Sequence, residues 1–523
     1  MMHRRICDDM TESRTKNSIR NSTVSIVTQV LTVIINFIVK TVFIYTLGSE
    51  YLGVNGLFSN IITMLSLADL GIGVAIPYSL YKPLAEHDTK KVNILMKFYA
   101  KVYNVIGIFV LVVGLSLTPF LGFMIKDMPD IPALSWIYAL FVIHSASSYF
   151  FVYKRFLIES DQKGYITSEI IFVFSTILSV LQIVLLITTK NYILFLLSSI
   201  IIVITQNIYI SYRALQLYPF LKEKHVGKMD QDDIHDITKN VSALLIYRIG
   251  NVVTNGTDNI VISKYIGLIM VGIYSNYLLI MNSLILILNQ LFNAITSSIG
   301  NLVVTTNGKR SASVYEKLNL VNFWLYALCG ICLLVLFNPF IQIWIGKEYL
   351  LSFSVVFLLA FNFYITGMQS VTTSFRNAYG LFWKAKFRPL VMIAINLIVS
   401  IILVHFMGIA GVILGTIISR IVTVTWLDPY IVYHYGFKKS SKRYFIKYVL
   451  FLVLFLGTAF VTNLVVGWIP NGNLIWFLIK TMLCVVIVNG IFYLLFKNTD
   501  DFQYFYEKIK NVVSSKIDRF RHV

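Results

Sequence analysis

Charge is scarce in this sequence, and its scarcity excludes an ordinary soluble protein. Asp, Glu, Lys and Arg make up 13% of the 523 residues, whereas 57% of the residues are hydrophobic. Soluble domains are typically about 25% charged and about 45–50% apolar. The apolar residues form runs of roughly 20, the length at which a helix spans the hydrocarbon core of a bilayer. The composition therefore predicts an all-α polytopic membrane protein.

The motifs of catalysis and of cofactor binding are also lacking. The sequence has no nucleophile motif, no paired carboxylates in a catalytic setting, no metal-spaced cluster and no phosphate-binding P-loop. Of the four cysteines, Cys329 and Cys332 form a C-x-x-C within an apolar helix, without a nearby histidine or second pair, which favours a packing role. We therefore predict that the chain is not an enzyme, has no catalytic residue, metal site or cofactor, and does not drive transport with ATP by itself.

The charge that is present is mostly positive: 44 Lys and Arg against 25 Asp and Glu, a net charge of +19. In a polytopic membrane protein an excess of basic residues marks the cytoplasmic loops and does not imply a nucleic-acid partner. With the N-terminus inside and fourteen spans, 35 basic residues fall in cytoplasmic segments or at the span ends beside them, 4 in external loops or at the span ends beside them, and 5 elsewhere within spans. A miscount of one span would reverse the sidedness of every later loop. The asymmetry predicts fourteen transmembrane helices with both termini in the cytoplasm.

The apolar runs place these spans between breaks of charge, proline and glycine. The first run is too long for the core of a signal peptide, so we expect it to be retained. The predicted spans are 24–47, 53–77, 98–121, 132–153, 167–189, 192–212, 241–266, 272–299, 318–345, 350–374, 389–407, 409–433, 445–467 and 474–496.

The longest internal polar segment divides the spans into two groups of six and a final pair. We predict two pseudo-symmetric six-helix lobes followed by two C-terminal helices and a basic amphipathic tail on the inner membrane surface. The predicted boundaries are an N-terminal lobe at 1–212, a cytoplasmic connector at 213–240, a C-terminal lobe at 241–434, two further helices at 435–496, and the cytoplasmic tail at 497–523.

An internal repeat with an offset of 219 residues supports this division. The stretch YTLGSEYLGVNGLFSN, with Gly48 and Gly53, matches KYIGLIMVGIYSNYLL, with Gly267 and Gly272. The same offset superimposes a polar stripe of the first span on one of the seventh, and each stripe lies on one helix face at about 100° per residue. Transporters built from such repeats bind their substrates at the repeat interface. The paired positions are Gln29 with Arg248, Thr32 with Asn251, Asn36 with Asn255 and Lys40 with Asn259.

Charged and amide residues inside the spans are the candidate site residues. A charge facing lipid costs about 2.5–3.5 kcal/mol on insertion scales, so Arg248 and Asp258 must face either a polar cavity or a structural cluster between helices. Lys40 could line that cavity or extend outward, and Arg420 could line it or form a structural pair. Asp69 could pair with a cation or exchange H⁺ or Na⁺. The candidates for substrate binding are Arg248, Asn251, Asn255, Asn259, Lys40, Asn36, Gln29, Arg420, Asn282 and Asn289, and those for ion coupling are Asp258 and Asp69.

Two stretches carry a resemblance to a known family: NSIRNSTVSIVTQVLTVIINFIVKTVFIYTLGSEYLGVNGLFSNIITMLSLADLGIG and TDNIVISKYIGLIMVGIYSNY. Together with the fourteen spans, they resemble the Wzx-type polysaccharide repeat-unit flippases of the multidrug/oligosaccharidyl-lipid/polysaccharide exporter superfamily. The resemblance implies two six-helix lobes in a V around a central cavity. It also implies a flippase that turns undecaprenyl-pyrophosphate-linked oligosaccharides from the inner to the outer leaflet of the bacterial cytoplasmic membrane, for capsule or O-antigen-like synthesis.

The resemblance assigns roles to some candidates. It implies cationic residues in the cavity, which fits Arg248 together with Lys40 and Arg420. Our hypothesis is that Arg248 holds the pyrophosphate and that Asp258 or Asp69 couples flipping to H⁺ or Na⁺ in an alternating-access cycle. The implied partners are the lipid-linked oligosaccharide, the bilayer, a polysaccharide polymerase and a chain-length regulator, and the chain is expected to be a monomer. Two alternatives remain within the superfamily: a lipid II flippase, and a drug/cation antiporter. A polymerase is disfavoured because the longest predicted external loop has only about ten residues.

Overall fold

The computed structural model describes residues 2–65, 72–223, 256–305 and 308–507, and within these ranges the regular structure is helical, without strands. The long helices are α1 (Met2–Leu65), α2 (Ile72–Ala85), α3 (Thr89–Ser116), α4 (Leu134–Tyr149), α5 (Tyr153–Ser160), α6 (Gly164–Thr189), α7 (Tyr192–Leu217), α8 (256–265), α9 (Leu268–Thr305), α10 (Gly308–Trp344), α11 (Phe353–Met368), α12 (Ser370–Ala378), α13 (Arg388–Met407), α14 (Ile409–Ile431), α15 (Lys442–Gly467) and α16 (Leu474–Phe496). Shorter helical turns occupy Thr118–Phe120, Leu121–Met124, Pro219–Lys222, Lys347–Tyr349, Leu381–Ala385 and Val432–Phe437.

The described helices confirm a polytopic membrane protein. Eleven of them are long and apolar enough to cross a membrane, or twelve if α4 and α5, which meet at 43°, form one bent span. The apolar part of α1, Val27–Leu65, has 39 residues. At 1.5 Å per residue it is nearly twice as long as the ~30 Å hydrocarbon core. Gly48, with φ 85° and ψ −175°, interrupts it between the first and second predicted spans. The count of fourteen stays a prediction, because most of the seventh predicted span lies outside the described residues.

The chain divides into two compact units, Met1–Ser275 and Asn276–Val523, with the boundary inside α9. The predicted connector at 213–240 lies largely outside the described residues, so the predicted lobe boundaries stay predictions.

The core of the first unit joins α2, α3, α5 and α7. Large side chains from these helices interlock, and Leu157 and Tyr103 at the centre have no exposed surface. Just beyond α7, the hydroxyl of Tyr218 donates a 2.7 Å hydrogen bond to Asp161, which follows α5. Burial, together with the hydrogen bond to this carboxylate, raises the pKa of Tyr218 above its usual range, so the phenol keeps the proton it donates. This bond fixes the C-terminal end of α7 to that of α5.

Aromatic stacking holds the two C-terminal helices of the second unit to its centre. Phe323 of α10 stacks on Phe451 of α15 with ring centroids 4.3 Å apart, and Tyr364 of α11 stacks on Phe455 of α15 at 4.1 Å. Trp324 of α10 donates a 2.8 Å hydrogen bond to Asn489 of α16. Offset aromatic pairs contribute about 0.5–1.5 kcal/mol each beyond the area they bury, so these contacts fix α15 and α16 against α10 and α11.

Candidate functional site

Two glycines at the ends of the first and seventh predicted spans both have a positive φ. Gly48 has φ 85° and Gly267 has φ 133°, and an added Cβ at either would meet no atom within 4 Å. Glycine is therefore needed at both positions for its backbone freedom and not for space. The turn signature found twice in the sequence thus coincides each time with a glycine of positive φ, 219 residues apart.

Two further glycines let the segments that follow these turns cross closely within the first unit. A methyl carbon added to Gly53 would overlap the carbonyl of Leu268, and one added to Gly272 would lie 2.7 Å from the carbonyl oxygen of Ser49. Adding 219 to the pair 49 and 53 gives 268 and 272, so the contact is reciprocal. A two-fold relation between the repeats requires this reciprocity, since in a two-fold interface a contact from residue i to residue j is matched by one from j to i.

Lys40 forms hydrogen bonds beside this crossing. Its Nζ donates hydrogen bonds to the carbonyl oxygen of Ser275, at 2.9 Å, and to its hydroxyl, at 3.2 Å. The Ser275 hydroxyl in turn donates to the carbonyl oxygen of Gly272 at 2.7 Å. The ammonium is directed at α9, and the two placements weighed for Lys40 stay predictions. An ammonium has three donors, and two of them are used here.

The other candidates of the first unit differ in exposure. Asn36 and Gln29 are exposed on the same side of α1 as Lys40, about one and three turns before it in the chain. Asp258 and Asn259 of α8 are buried, with 7% and 3% of their surface exposed. Arg248, Asn251, Asn255 and Asp69 lie outside the described residues. The predicted stripe of the seventh span is therefore described only at its C-terminal end.

In the second unit, Asn282 and Asn289 are exposed on α9, seven residues and thus two turns apart. Arg420 is half-buried in the middle of α14. In the described ranges no group of three or more His, Cys, Asp or Glu residues could hold a metal ion.

A buried charge cluster in the second unit was missed by the sequence analysis. Nη1 of Arg376 donates to Oδ2 of Asp428 at 2.6 Å, and Nη1 of Arg388 donates to the same oxygen. Arg376 and Asp428 have no exposed surface, and Arg388 is 7% exposed. The sequence analysis left both arginines outside the spans, between 350–374 and 389–407, whereas the structure places Arg376 in α12 and Arg388 at the start of α13, both against Asp428 of α14. The signal was Asp428 itself: a carboxylate inside a predicted span requires a cationic partner.

The fold is similar to that of several solved membrane transporters. The lipid II flippase MurJ in an inward closed conformation matches with a TM-score of 0.62 and 15% identity, over 91% of this chain and 99% of that chain. An inward-facing multidrug resistance MATE family transporter of the MOP superfamily matches with a TM-score of 0.61 and 16% identity, over 80% and 99%. A MOP superfamily transporter from Pyrococcus furiosus, whose binding pocket is described as having reverse polarity, matches with 0.55 and 16%, over 82% and 97%.

No protein-family model and no curated protein sequence matches the chain. At identities near 15% the structural likeness establishes the fold. The chain therefore has the fold of the MOP-superfamily transporters, a fold that also serves lipid II flipping.

Proposed function

We propose that the chain is a flippase for undecaprenyl-pyrophosphate-linked oligosaccharide repeat units. It would move them from the inner to the outer leaflet of the bacterial cytoplasmic membrane by ion-coupled alternating access, for capsule or O-antigen-like synthesis. The observation that carries this proposal is the position of Lys40, a cation held inside an apolar span by Ser275 in a fold shared with a lipid II flippase.

The chemistry of the candidate residues suits a lipid pyrophosphate. Lys40 offers a compact positive charge with one ammonium donor beyond the two used at Ser275. Arg248, on the matching helix of the repeat, would offer planar paired donors, which fit phosphate oxygens. Arg420 would add a third cation from α14. A concentrated anionic headgroup inside a membrane protein needs such partners, because its water shell is removed on entry.

Exposed amides on the spans suit the sugar chain. Gln29 and Asn36 on α1, and Asn282 and Asn289 on α9, are exposed at depths where the flanking sequence is apolar. An amide facing hydrocarbon would lose its hydrogen bonds at a cost of several kcal/mol, so exposed amides favour a water-filled surface. Amides both donate and accept hydrogen bonds, as sugar hydroxyls require, and Asn251, Asn255 and Asn259 would extend this surface.

Asp258 and Asp69 are the proposed coupling residues for H⁺ or Na⁺. Asp258 is a buried carboxylate in α8, on the same predicted span as Arg248. Replacing both aspartates by asparagine should abolish the dependence of flipping on an ion gradient in proteoliposomes. Unchanged flipping with unchanged ion dependence would contradict this part of the proposal. A polysaccharide polymerase and a chain-length regulator are the proposed protein partners of the flippase.

A lipid II flippase is the second candidate, favoured by the likeness to a structure with that function. Lipid II shares the undecaprenyl pyrophosphate and differs in its sugars and peptide, so Lys40 and Arg248 would act in the same way. A drug/cation antiporter is less well supported, because its cavity would favour carboxylates whereas Lys40, Arg248 and Arg420 are cationic.

The first experiment measures the thermal stability of the purified chain with added undecaprenyl pyrophosphate. A ligand that binds only the folded state, at a hundredfold excess over its Kd, stabilises that state by about 2.7 kcal/mol. Wild type should be stabilised, and Arg248→Ala and Lys40→Ala should respond much less. Lys101→Ala is the matched control, since Lys101 is an exposed lysine of α3 outside the proposed site, and it should respond as wild type does.

The same measurement separates the candidates. A drug antiporter is indicated if no form responds to the pyrophosphate while a lipophilic cation stabilises all of them. Competition between lipid II and a lipid-linked oligosaccharide for the stabilised form then distinguishes the two flippases. Preferential stabilisation by lipid II would replace the proposed substrate with the second candidate.

A further inference from the structure

A second anion-binding site is suggested by a cavity of about 350 Å³ where the Leu381–Ala385 turn meets α13 and α14. Basic residues line one side of the cavity, and apolar side chains line the other. None of the residues that line it in the described part of the chain is acidic. The basic residues are Lys384, Lys386 and Arg388, and the others are Ala385, Phe387, Val391, Val422, Thr423, Trp426 and Leu427.

A buried arginine lies in the wall of the cavity. Arg388 lines the cavity, and Asp428, which also accepts from Arg376, holds its guanidinium in place. Because charges interact far more strongly in a medium of low dielectric than in water, an anion in the cavity would be attracted to this guanidinium.

The helix backbone also contributes positive electrostatic potential at the cavity. The cavity lies at the N-terminus of α13, which begins at Arg388 and runs for 20 residues. A helix N-terminus carries roughly half a positive charge and attracts anions. Lysines, a buried arginine and a helix end thus converge on one small volume.

The apolar side of the cavity continues into an exposed apolar surface. Phe387, Val391, Val422 and Trp426 are between 49% and 62% exposed, and all belong to or border helices that can cross a membrane. Such residues face lipid tails in a membrane protein. The predicted topology puts this end of α13 and α14 on the cytoplasmic side, so the cavity opens at the level of the inner-leaflet headgroups.

We propose that this cavity binds an anionic phospholipid of the inner leaflet. Its phosphate would lie against Lys384, Lys386 and the N-terminus of α13, and an acyl chain would follow Val391, Val422 and Trp426. Basic pockets on the cytoplasmic side of membrane helices recognise lipid headgroups in this way. A free phosphate would satisfy the charges but leave the apolar side uncovered, which is why we assign a lipid. This site uses none of the residues proposed to bind the transported substrate.

The test is native mass spectrometry of the chain released from nanodiscs of phosphatidylglycerol and phosphatidylcholine. Wild type should retain one phosphatidylglycerol in preference to phosphatidylcholine. One lysine near the membrane surface contributes about a fivefold factor in affinity for anionic lipid, so Lys384→Gln/Lys386→Gln should retain it about 25-fold less. Lys439→Gln/Lys442→Gln removes the same charge from exposed positions on the same predicted side, and should retain the lipid as wild type does.

Four results would overturn the proposal. The first is equal retention by the Lys384/Lys386 variant and wild type, and the second is equal loss in the control variant. The third is displacement of the lipid by millimolar inorganic phosphate, which would make the cavity a site for soluble anions. The fourth is displacement of the phospholipid by undecaprenyl pyrophosphate at equal concentration, which would make the transported lipid the occupant of the cavity. Lipid retention is measured without transport, so the phospholipid site can be confirmed or rejected independently of the proposed flippase activity.

Discussion

At the scale of single residues, Asp428 and Arg376 should differ in how much stability is lost when each is replaced, because Arg376 and Arg388 share the one carboxylate of Asp428. Asp428→Asn would remove the carboxylate that both Arg376 and Arg388 contact, whereas Arg376→Met would leave the contact of Arg388 with Asp428 in place. Removing the partner of a buried charge costs about 3–5 kcal/mol. We therefore expect Asp428→Asn to lower the free energy of unfolding by about this amount, and Arg376→Met to lower it by less, as measured by thermal unfolding in detergent.

Arg443→Met is the control for this pair, since the Arg443 side chain is 75% exposed and lies 3.9 Å from Glu316. Exposed ion pairs contribute about 0–1 kcal/mol, so this variant should unfold close to wild type. A larger loss for Arg376→Met than for Asp428→Asn would contradict the sharing of Asp428 by the two arginines.

The residue scale is also where sequence reasoning reached its limit. The sequence identified Lys40 as a cation that had to be satisfied, but it could not identify Ser275 as the partner, because that contact depends on how distant helices pack. It left Arg376 and Arg388 outside the predicted spans, between 350–374 and 389–407, because charge interrupts the apolar runs there. Only the fold shows that both side chains meet Asp428.

At the scale of helices, the glycines at the two turns tolerate substitution differently from glycines within helices. Gly48 has φ 85° and ψ −175°, a conformation that is essentially limited to glycine and costs another residue about 1–3 kcal/mol. Gly48→Ala should destabilise the chain by this amount although the site has open space. Gly457→Ala in α15 also meets no atom within 4 Å, and should be neutral or slightly stabilising because alanine favours helix. Thermal unfolding of both variants checks the contrast.

The glycines at the helix crossing should depend on each other. Gly53→Ala and Gly272→Ala each place a methyl group against the backbone of the other segment, and overpacking typically costs about 1–3 kcal/mol. Either methyl group would push the segments apart and so make room for the other. The double variant should therefore lose less stability than the sum of the single variants, which a double-mutant cycle measures. Strict additivity would mean that the two glycines do not share one contact.

At this scale the sequence was a good guide. The apolar runs located every described span, and the repeated turn signature located two glycines of positive φ. The run of α1 through Gly48 and the 43° bend between α4 and α5 were not predicted. Hydropathy reports which residues avoid water and contains no information on the angle at which one helix continues into the next.

At the scale of the whole molecule, the distribution of basic residues predicts which side of the membrane each loop faces. In a variant without the native cysteines, Lys347→Cys in a predicted external loop should react with a membrane-impermeant maleimide in intact cells. Lys439→Cys, exposed beyond α14, should react only after the cells are permeabilised. The opposite pattern would show that the predicted topology is inverted, and with it the leaflet assigned to the phospholipid site.

The crossing of Gly53 and Gly272 also has a consequence during biosynthesis. Its two sides are 219 residues apart in the chain, and ribosomes add about 5–20 residues per second. The earlier segment therefore enters the membrane about 10–45 s before its counterpart is made. During that interval its backbone groove and the ammonium of Lys40 lack the partners they have in the finished protein, so the nascent half must be sheltered by the insertion machinery or by lipid until the second repeat arrives.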